Sequence, residues 1–255
     1  MPEISIKAEP IFHLGQFVVT NSYLLSIVSF VILIILAFIL KNKISLIPGK
    51  LQSIFELLSD QLLGLMNGLL GDSRKSEKYF PVIATVFLFI LLSNWLGLFP
   101  GVGSLGIEEG LNHLGEVKYV PLFRAPAADL NFTLALALIS ILFVQFFGIV
   151  ALGFKKYSSK FFTFKNPIYT FVGLLEFMSE FTKIISFSFR LFGNVFAGEV
   201  LLGIIGFLLP YVVPLPFLFL EVFVGLIQAF IFSMLTLVFI AMSVADYEEH
   251  EVVAH

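Results

Sequence analysis

Arg190 places a permanent charge inside a stretch, residues 168–210, that is otherwise almost wholly apolar. A guanidinium with a pKa above ~12 cannot discharge itself to escape a bilayer. At mid-membrane it costs at least ~2.5–3.5 kcal/mol. With about twenty residues on either side, it is too far from a helix end to snorkel to the headgroups. Something must compensate the charge, and ion movement is the chemistry that gives such a group a purpose. The same stretch holds Glu176, Glu180, Lys183, Ser186, Ser188, Asn194 and Glu199, and the next apolar stretch holds Glu221 and Gln228.

Helical spacing sorts these groups. Glu176, Lys183 and Arg190 fall seven apart, within about 40° of one another. Ser186 and Asn194 flank Arg190 at i−4 and i+4 on that stripe. Glu199 lies half a turn round and roughly 13 Å further along, so it forms no simple intrahelical bridge with Arg190. Glu221 and Gln228, also seven apart, share a face. The Arg190 stripe can then face a partner bearing a carboxylate. The Glu199 face can meet Glu221 and Gln228 across a hairpin as one polar track, and the Glu176–Lys183 end can make a second. Two tracks offset across a fixed cation form a path that an ion cannot cross without transferring to a moving partner. Carboxylates suit such tracks because a low-dielectric setting favours their protonated form and permits proton exchange. Blander readings stand beside this one. Glu199 and Glu221 could be hydrogen-bonded packing groups, one of them could be Arg190's own partner, Glu180 and Lys183 could be a local ion pair, and Glu176 could lie at the interface.

The elements that must hold these groups are helices. The chain has 255 residues, 58% hydrophobic and 13% charged, with mean hydropathy +1.00. Soluble domains carry roughly 25% charged residues, so this is an integral membrane protein. The net charge of −3 argues against nucleic acid. There is no Cys, which excludes thiol and Cys–zinc chemistry. His13, His113, His250 and His255 are scattered outside the expected spans, so no metal site is expected. No cofactor is expected either.

Spans of about 20 apolar residues are expected at 22–40, at 80–99 with Trp95 as an interface anchor, and at 127–154, which opens with Asp129 and Asn131. The segment before the first span carries Glu3, Lys7 and Glu9 without a cleavage-site pattern, so that span is expected to remain. Residues 50–71 place Lys50, Gln52, Glu56, Asp60, Gln61 and Asn67 among leucines at helical spacing, which reads as an amphipathic surface helix. A polar loop is expected at 100–126. Residues 167–209 and 215–247 are each longer than the ~30 Å hydrocarbon layer requires. The prolines at 210, 214 and 216 separate them. The expected fold is all-α: one polytopic membrane domain over 1–255, with about five transmembrane helices, the amphipathic helix, an outward segment at 1–20 and a long tilted ion-translocating hairpin at 167–247.

Basic residues orient it. Lys41, Lys43, Lys50, Arg74, Lys75, Lys78, Lys155, Lys156, Lys160 and Lys165 lie on one side, against Lys7, Lys118 and Arg124 on the other. The richer side is cytoplasmic. The N-terminus then faces outward, and the acidic C-terminus (Asp246, Glu248, Glu249, Glu251) faces the cytoplasm.

The run Ser186-Phe187-Ser188-Phe189-Arg190-Leu191-Phe192-Gly193-Asn194-Val195-Phe196-Ala197-Gly198-Glu199 resembles the signature of subunit a of bacterial-type F1Fo ATP synthase. Gln228-Ala229-Phe230-Ile231-Phe232-Ser233-Met234-Leu235-Thr236 is similar to that family's last-helix motif, and Pro126-Ala127-Ala128-Asp129-Leu130-Asn131-Phe132-Thr133 to the start of a preceding helix. The likeness runs from the first span to the C-terminus, with the motifs in the expected order. It implies a stator subunit of the Fo sector that translocates protons, or alternatively another cation, against a rotating c-subunit ring. The peripheral-stalk b subunits and the F1 sector would be partners, in a bacterial-type plasma membrane. Arg190 would attract the c-subunit carboxylate and separate two half-channels. Asn194, Glu199, Glu221 and Gln228 would line the outer one, and Glu176 and Ser186 would lie by the cytoplasmic one. Some relatives carry histidine at the Glu221 position. The chain has no P-loop, so nucleotide chemistry would belong to partner subunits and this chain would not itself be the enzyme. The alternative, a self-contained secondary transporter, calls for internal repeats and paired broken helices, and the sequence has neither. A non-conducting anchor would leave Arg190 and its acids without a purpose.

Overall fold

The computed structural model describes residues 8–14, 17–103, 105–111, 117–161, 167–209 and 211–245. Two short strands, β1 (Pro10–Leu14) and β2 (Phe17–Thr20), pair antiparallel ahead of the first helix. Helix α1 (Asn21–Lys43) begins at Thr20, whose hydroxyl accepts the Tyr23 N–H, and ends on Lys41 and Lys43. Lysines suit that end of a helix dipole. Helix α2 (Lys50–Leu70) buries Leu62 and Met66 and leaves Leu51, Ile54, Leu57, Leu65 and Leu69 exposed. It stops at Gly71, whose φ of +67° is the left-handed turn that glycine makes without a Cβ penalty. Asp72 then caps α3 (Ser73–Gly97) by accepting the Arg74 N–H at 2.9 Å.

Between α3 and the next helix lie β3 (Pro100–Gly103), β4 (Gly106–Leu111) and β5 (Val117–Pro121), with β4 and β5 paired antiparallel. The chain was expected to form a loop here. Backbone pairing through Val117, Tyr119 and Val120 makes a hairpin instead. A 3₁₀ turn at Pro126–Ala128 leads to α4 (Leu130–Leu152), capped by Asp129, whose carboxylate accepts from Asn131 N at 2.9 Å and Ser22 Oγ at 2.8 Å. The span expected over 127–154 is therefore shorter. Asp129 has to stay outside the helix to cap it, and Gly153 (φ +78°) ends it. A further helix, α5 (Phe154–Phe161), folds back so that Tyr157 packs on Gly148 and donates to Gln145.

The hairpin is α6 (Pro167–Leu208), 42 residues or roughly 63 Å, and α7 (Pro214–Ala245), 32 residues or roughly 48 Å. Both exceed the ~30 Å hydrocarbon layer, and excess length is accommodated by tilt. Tyr247, the acidic C-terminus, Glu3, Lys7, His113, Glu116 and Lys165 lie outside the described residues.

Five of these helices are long and apolar enough to cross a membrane: α1, α3, α4, α6 and α7. They pack α3 on α7, and α4 on both α6 and α7. The core joins Val86, Phe87 and Ile90 of α3, Leu136 and Ala137 of α4, Phe187 and Leu191 of α6, and Ala229 and Phe232 of α7. Phe187 contacts the Phe232 and Phe239 rings at centroid distances of 4.8 and 5.3 Å. Burial is uneven: 44% of the most apolar window of α7 is inside the chain, against 11% for α6. Most of α6 therefore faces lipid or another molecule.

Candidate ion-path site

Arg190 sits on the open side of α6. Its neighbours Phe187, Ser188 and Leu191 are buried, whereas Ser186, Phe189, Arg190, Gly193, Asn194 and Ala197 are exposed. Among the described residues no hydrogen bond or ion pair engages the Arg190 guanidinium, so neither Glu199 nor Glu221 is its partner. The side chain lines a groove of about 440 Å³ between α6 and α7, with Ser186, Lys183, Thr182, Leu235 and Phe239. Lys183 Nζ pairs with Glu180 Oε1 at 2.7 Å and lies 4.8 Å from the Phe239 ring centroid. The local-pair reading of those two residues is the observed one. Glu176 is half-buried on the same helix and is not among the groove's lining residues.

A second cavity, about 330 Å³, opens on the other side of Arg190 along α6. Glu199 and Val195 of α6, Glu221 and Gly225 of α7, Asn94 and Gly97 of α3, and Arg124 line it. Glu199 and Glu221 line this cavity together, and Gln228 is not among its lining residues. Glu199 does not bond to Glu221 or Gln228. Its carboxylate accepts from Arg124 Nε, at 3.0 Å to one oxygen and 3.2 Å to the other. Arg124 is buried at 8% exposure and is no surface charge of an outward loop. The Glu221 carboxyl instead lies against Gly198, where any Cβ would fall 2.1 Å from its carbon. Gly198 therefore serves this contact within the hairpin. A Cβ at Gly193, Gly203 or Gly206 would meet open space.

Between the two cavities the hairpin is tied shut. Asn194 Nδ2 donates to Gln228 Oε1 at 2.7 Å, and Leu191 and Phe187 of α6 share an apolar cluster with Phe232 of α7. Asn194 does lie one turn beyond Arg190, but its polar bond goes to α7. Thr133 and Ser188 share a 3.0 Å hydrogen bond that fixes α4 against the same turn of α6.

Arg124 and Asn94 are site residues that the sequence reasoning passed over. Arg124 precedes the Pro126 motif by two residues, so its position beside a membrane end was a usable signal. Asn94 was a polar residue within an expected span. It donates to Gly225 O at 3.2 Å, and its Oδ1 is buried with no partner among the described residues. Trp95, expected as an interface anchor, uses its indole N–H on Val222 O of α7 at 3.1 Å. Among the described residues no cluster of His, Asp or Glu could hold a metal ion.

Fold and site together define a polytopic helical membrane protein that keeps acids and guanidinium groups among its spans, the class whose members handle ions. The family model for the ATP synthase A chain matches residues 23–241. The chain is 31% identical over 251 residues to ATP synthase subunit a of Campylobacter fetus subsp. fetus, covering 98% of this chain and 100% of that protein. It is 31% identical over 236 residues to that of Moorella thermoacetica (92% and 96%) and 33% over 222 residues to that of Campylobacter jejuni subsp. jejuni (86% and 88%). The chain belongs to the ATP synthase subunit a family, the non-catalytic membrane subunit of the Fo sector, and ATP chemistry resides on other subunits.

Proposed function

We propose that this chain is the stator side of a rotary proton path, with two offset half-channels that meet the c-subunit ring at Arg190. Protons enter the outer half-channel past Glu199 and Glu221 and reach the Asn194–Gln228 bridge. There they load a c-subunit carboxylate. After the ring turns, they leave through the groove by Ser186, toward Glu176. Arg190 attracts each arriving unprotonated carboxylate. It also repels a cation that would otherwise leak from one half-channel to the other. The basic loops after α1 and α4 face the cytoplasm, the N-terminus faces outward, and the membrane is a bacterial-type plasma membrane. Peripheral-stalk b subunits hold the chain against rotation, and the F1 sector uses the torque.

The observation that carries this reading is an exposed, unpaired Arg190 on the least covered helix, with one cavity on each side of it along the α6 axis. A charge retained at such cost, with no carboxylate of its own chain among the described residues, needs a neighbour's. The small residues beside it, Gly193, Asn194 and Ala197, leave room for another helix to approach closely. The test is Arg190→Ala in the assembled complex, with ATP synthesis driven by an imposed proton gradient. Loss of synthesis at normal complex content is expected. Undiminished synthesis rules the role out.

A further inference from the structure

Helix α6 is pinned near its middle and runs far beyond the pin. The Thr133–Ser188 and Asn194–Gln228 hydrogen bonds hold that middle against α4 and α7. Ahead of Ser188 the helix extends for about 20 residues, roughly 30 Å, back to Pro167. Gly173 is the only buried position among the described residues 168–186. This bare arm carries Glu176, and it carries Lys183 and Ser186 of the inner groove. Such an arm is a lever. A tilt of about 5° at Ser188 would carry Phe177, about 16 Å along the axis, sideways by about 1.4 Å.

Helix α5 reaches the arm. The chain turns back at Gly153, whose N–H bonds to Ile149 O at 2.8 Å, and Tyr157 N closes onto Gly153 O at 3.0 Å. Tyr157 is buried, with its ring against Gly148 and its hydroxyl donating to Gln145 Oε1. From there a chain of rings, each edge-on to the next, crosses to α6. Tyr157 and Phe161 have centroids 5.7 Å apart, Phe161 and Phe177 6.3 Å, and Phe177 and Phe181 5.0 Å. Edge-to-face contacts at these separations are favourable and directional. A Cβ on residue 148 would fall 2.5 Å from Tyr157 Cε2, so Gly148 is the seat of the first ring.

We propose that α5 is a strap and Tyr157 a positioning residue: seated on Gly148, it sets the angle of the α6 arm, and so the place of Glu176 relative to Arg190. This rests on the inner half-channel reading above. No ring of the chain handles the ion. The strap acts through α6, and a displacement of about 1 Å in a reacting group is enough to slow transfer by up to 10²-fold.

The experiment uses the complete complex. This chain has no cysteine, so Leu142→Cys on α4 and Leu174→Cys on α6, both exposed positions, can carry spin labels once any cysteines of the partner subunits are replaced. Pulsed electron paramagnetic resonance gives the distance between them. ATP-driven acidification of inverted vesicles, normalised to complex content, gives the rate. Tyr157→Ala is expected to shift or broaden the distance and to lower pumping by about tenfold at unchanged content. Tyr157→Phe keeps the rings and should restore the distance, with pumping within about twofold of normal. Gly148→Ala forces the Tyr157 ring to retreat by about 1 Å. It should move the distance and slow pumping by about threefold or more, although residue 148 lies in neither cavity. If Tyr157→Ala assembles poorly, Gly148→Ala carries the same test. An unchanged distance in both variants overturns the strap. A changed distance with normal pumping overturns the positioning role. Normal pumping by Glu176→Gln refutes the inner half-channel instead, and the distance still decides whether α5 holds the arm.

Discussion

Replacing Gly198 with Ala should impair ion flow without harming the fold. A Cβ on residue 198 would lie 2.1 Å from the Glu221 Cδ and Oε2 and 2.3 Å from Oε1. Carbon atoms in contact settle at about 3.5–4.0 Å, so the carboxyl must retreat by roughly 1.5 Å. The obstructing group is the far end of a flexible side chain, not backbone, so α7 need not move. Helix propensity pulls the other way, since Ala in a helix interior is favoured over Gly by roughly 0.5–1 kcal/mol. Complex content and thermal stability are therefore expected to be unchanged or slightly raised. A misplacement of about 1 Å in a reacting group can cost up to 10²-fold in rate, and pumping is expected to fall by about tenfold. The assay is ATP-driven acidification of inverted vesicles, with complex content measured by immunoblot. A second variant makes the reasoning specific. Glu221→Asp shortens the side chain by one methylene, about 1.5 Å, and should restore pumping in the Gly198→Ala background. Normal pumping by Gly198→Ala, or a double variant no better than the single, refutes the claim that the Glu221 carboxyl works from its present position.

Three further outcomes are expected. Gln228→Leu breaks the 2.7 Å bond from Asn194 that ties α6 to α7. Such bonds between membrane helices contribute about 0.6–2 kcal/mol, so a modest fall in melting temperature should come with slower ATP synthesis. Lys183→Ala leaves the half-buried Glu180 without its 2.7 Å partner, and in thermal denaturation it should be less stable than Lys183→Ala/Glu180→Ala, because an uncompensated carboxylate costs more than a missing pair. Ser22→Ala removes the 2.8 Å hydrogen bond to the buried Asp129 cap, worth about 1.5–3 kcal/mol for a charged acceptor; limited proteolysis should reveal looser attachment of α1.

The helical framework was legible because hydropathy and length act along the chain. The amphipathic α2, the three shorter spans and the long hairpin all follow from runs of apolar residues and from the prolines at 210, 214 and 216. What escaped depends on backbone pairing or on contacts between distant residues. The β4–β5 hairpin lies in a segment whose Gly and Glu residues hide its alternation. Helix α5 escaped because it is only eight residues long and rich in lysine and serine, so that Lys155 and Lys156 read as the polar end of the preceding span. At the site, the opposite orientation of Arg190 and Glu199 on α6 follows from the helical period alone. The partner of Glu199 does not, since Arg124 lies 75 residues away in sequence and meets it only through packing. Asn194 shows the same limit: its place on the helix was readable, and the neighbour it bonds was not.

The sparse burial of α6 bears on the order in which the chain can be assembled. A copy that stands alone in the bilayer leaves the Arg190 guanidinium facing lipid, at a cost of at least ~2.5–3.5 kcal/mol. The separate chain should therefore melt at a lower temperature than the same chain within its complex.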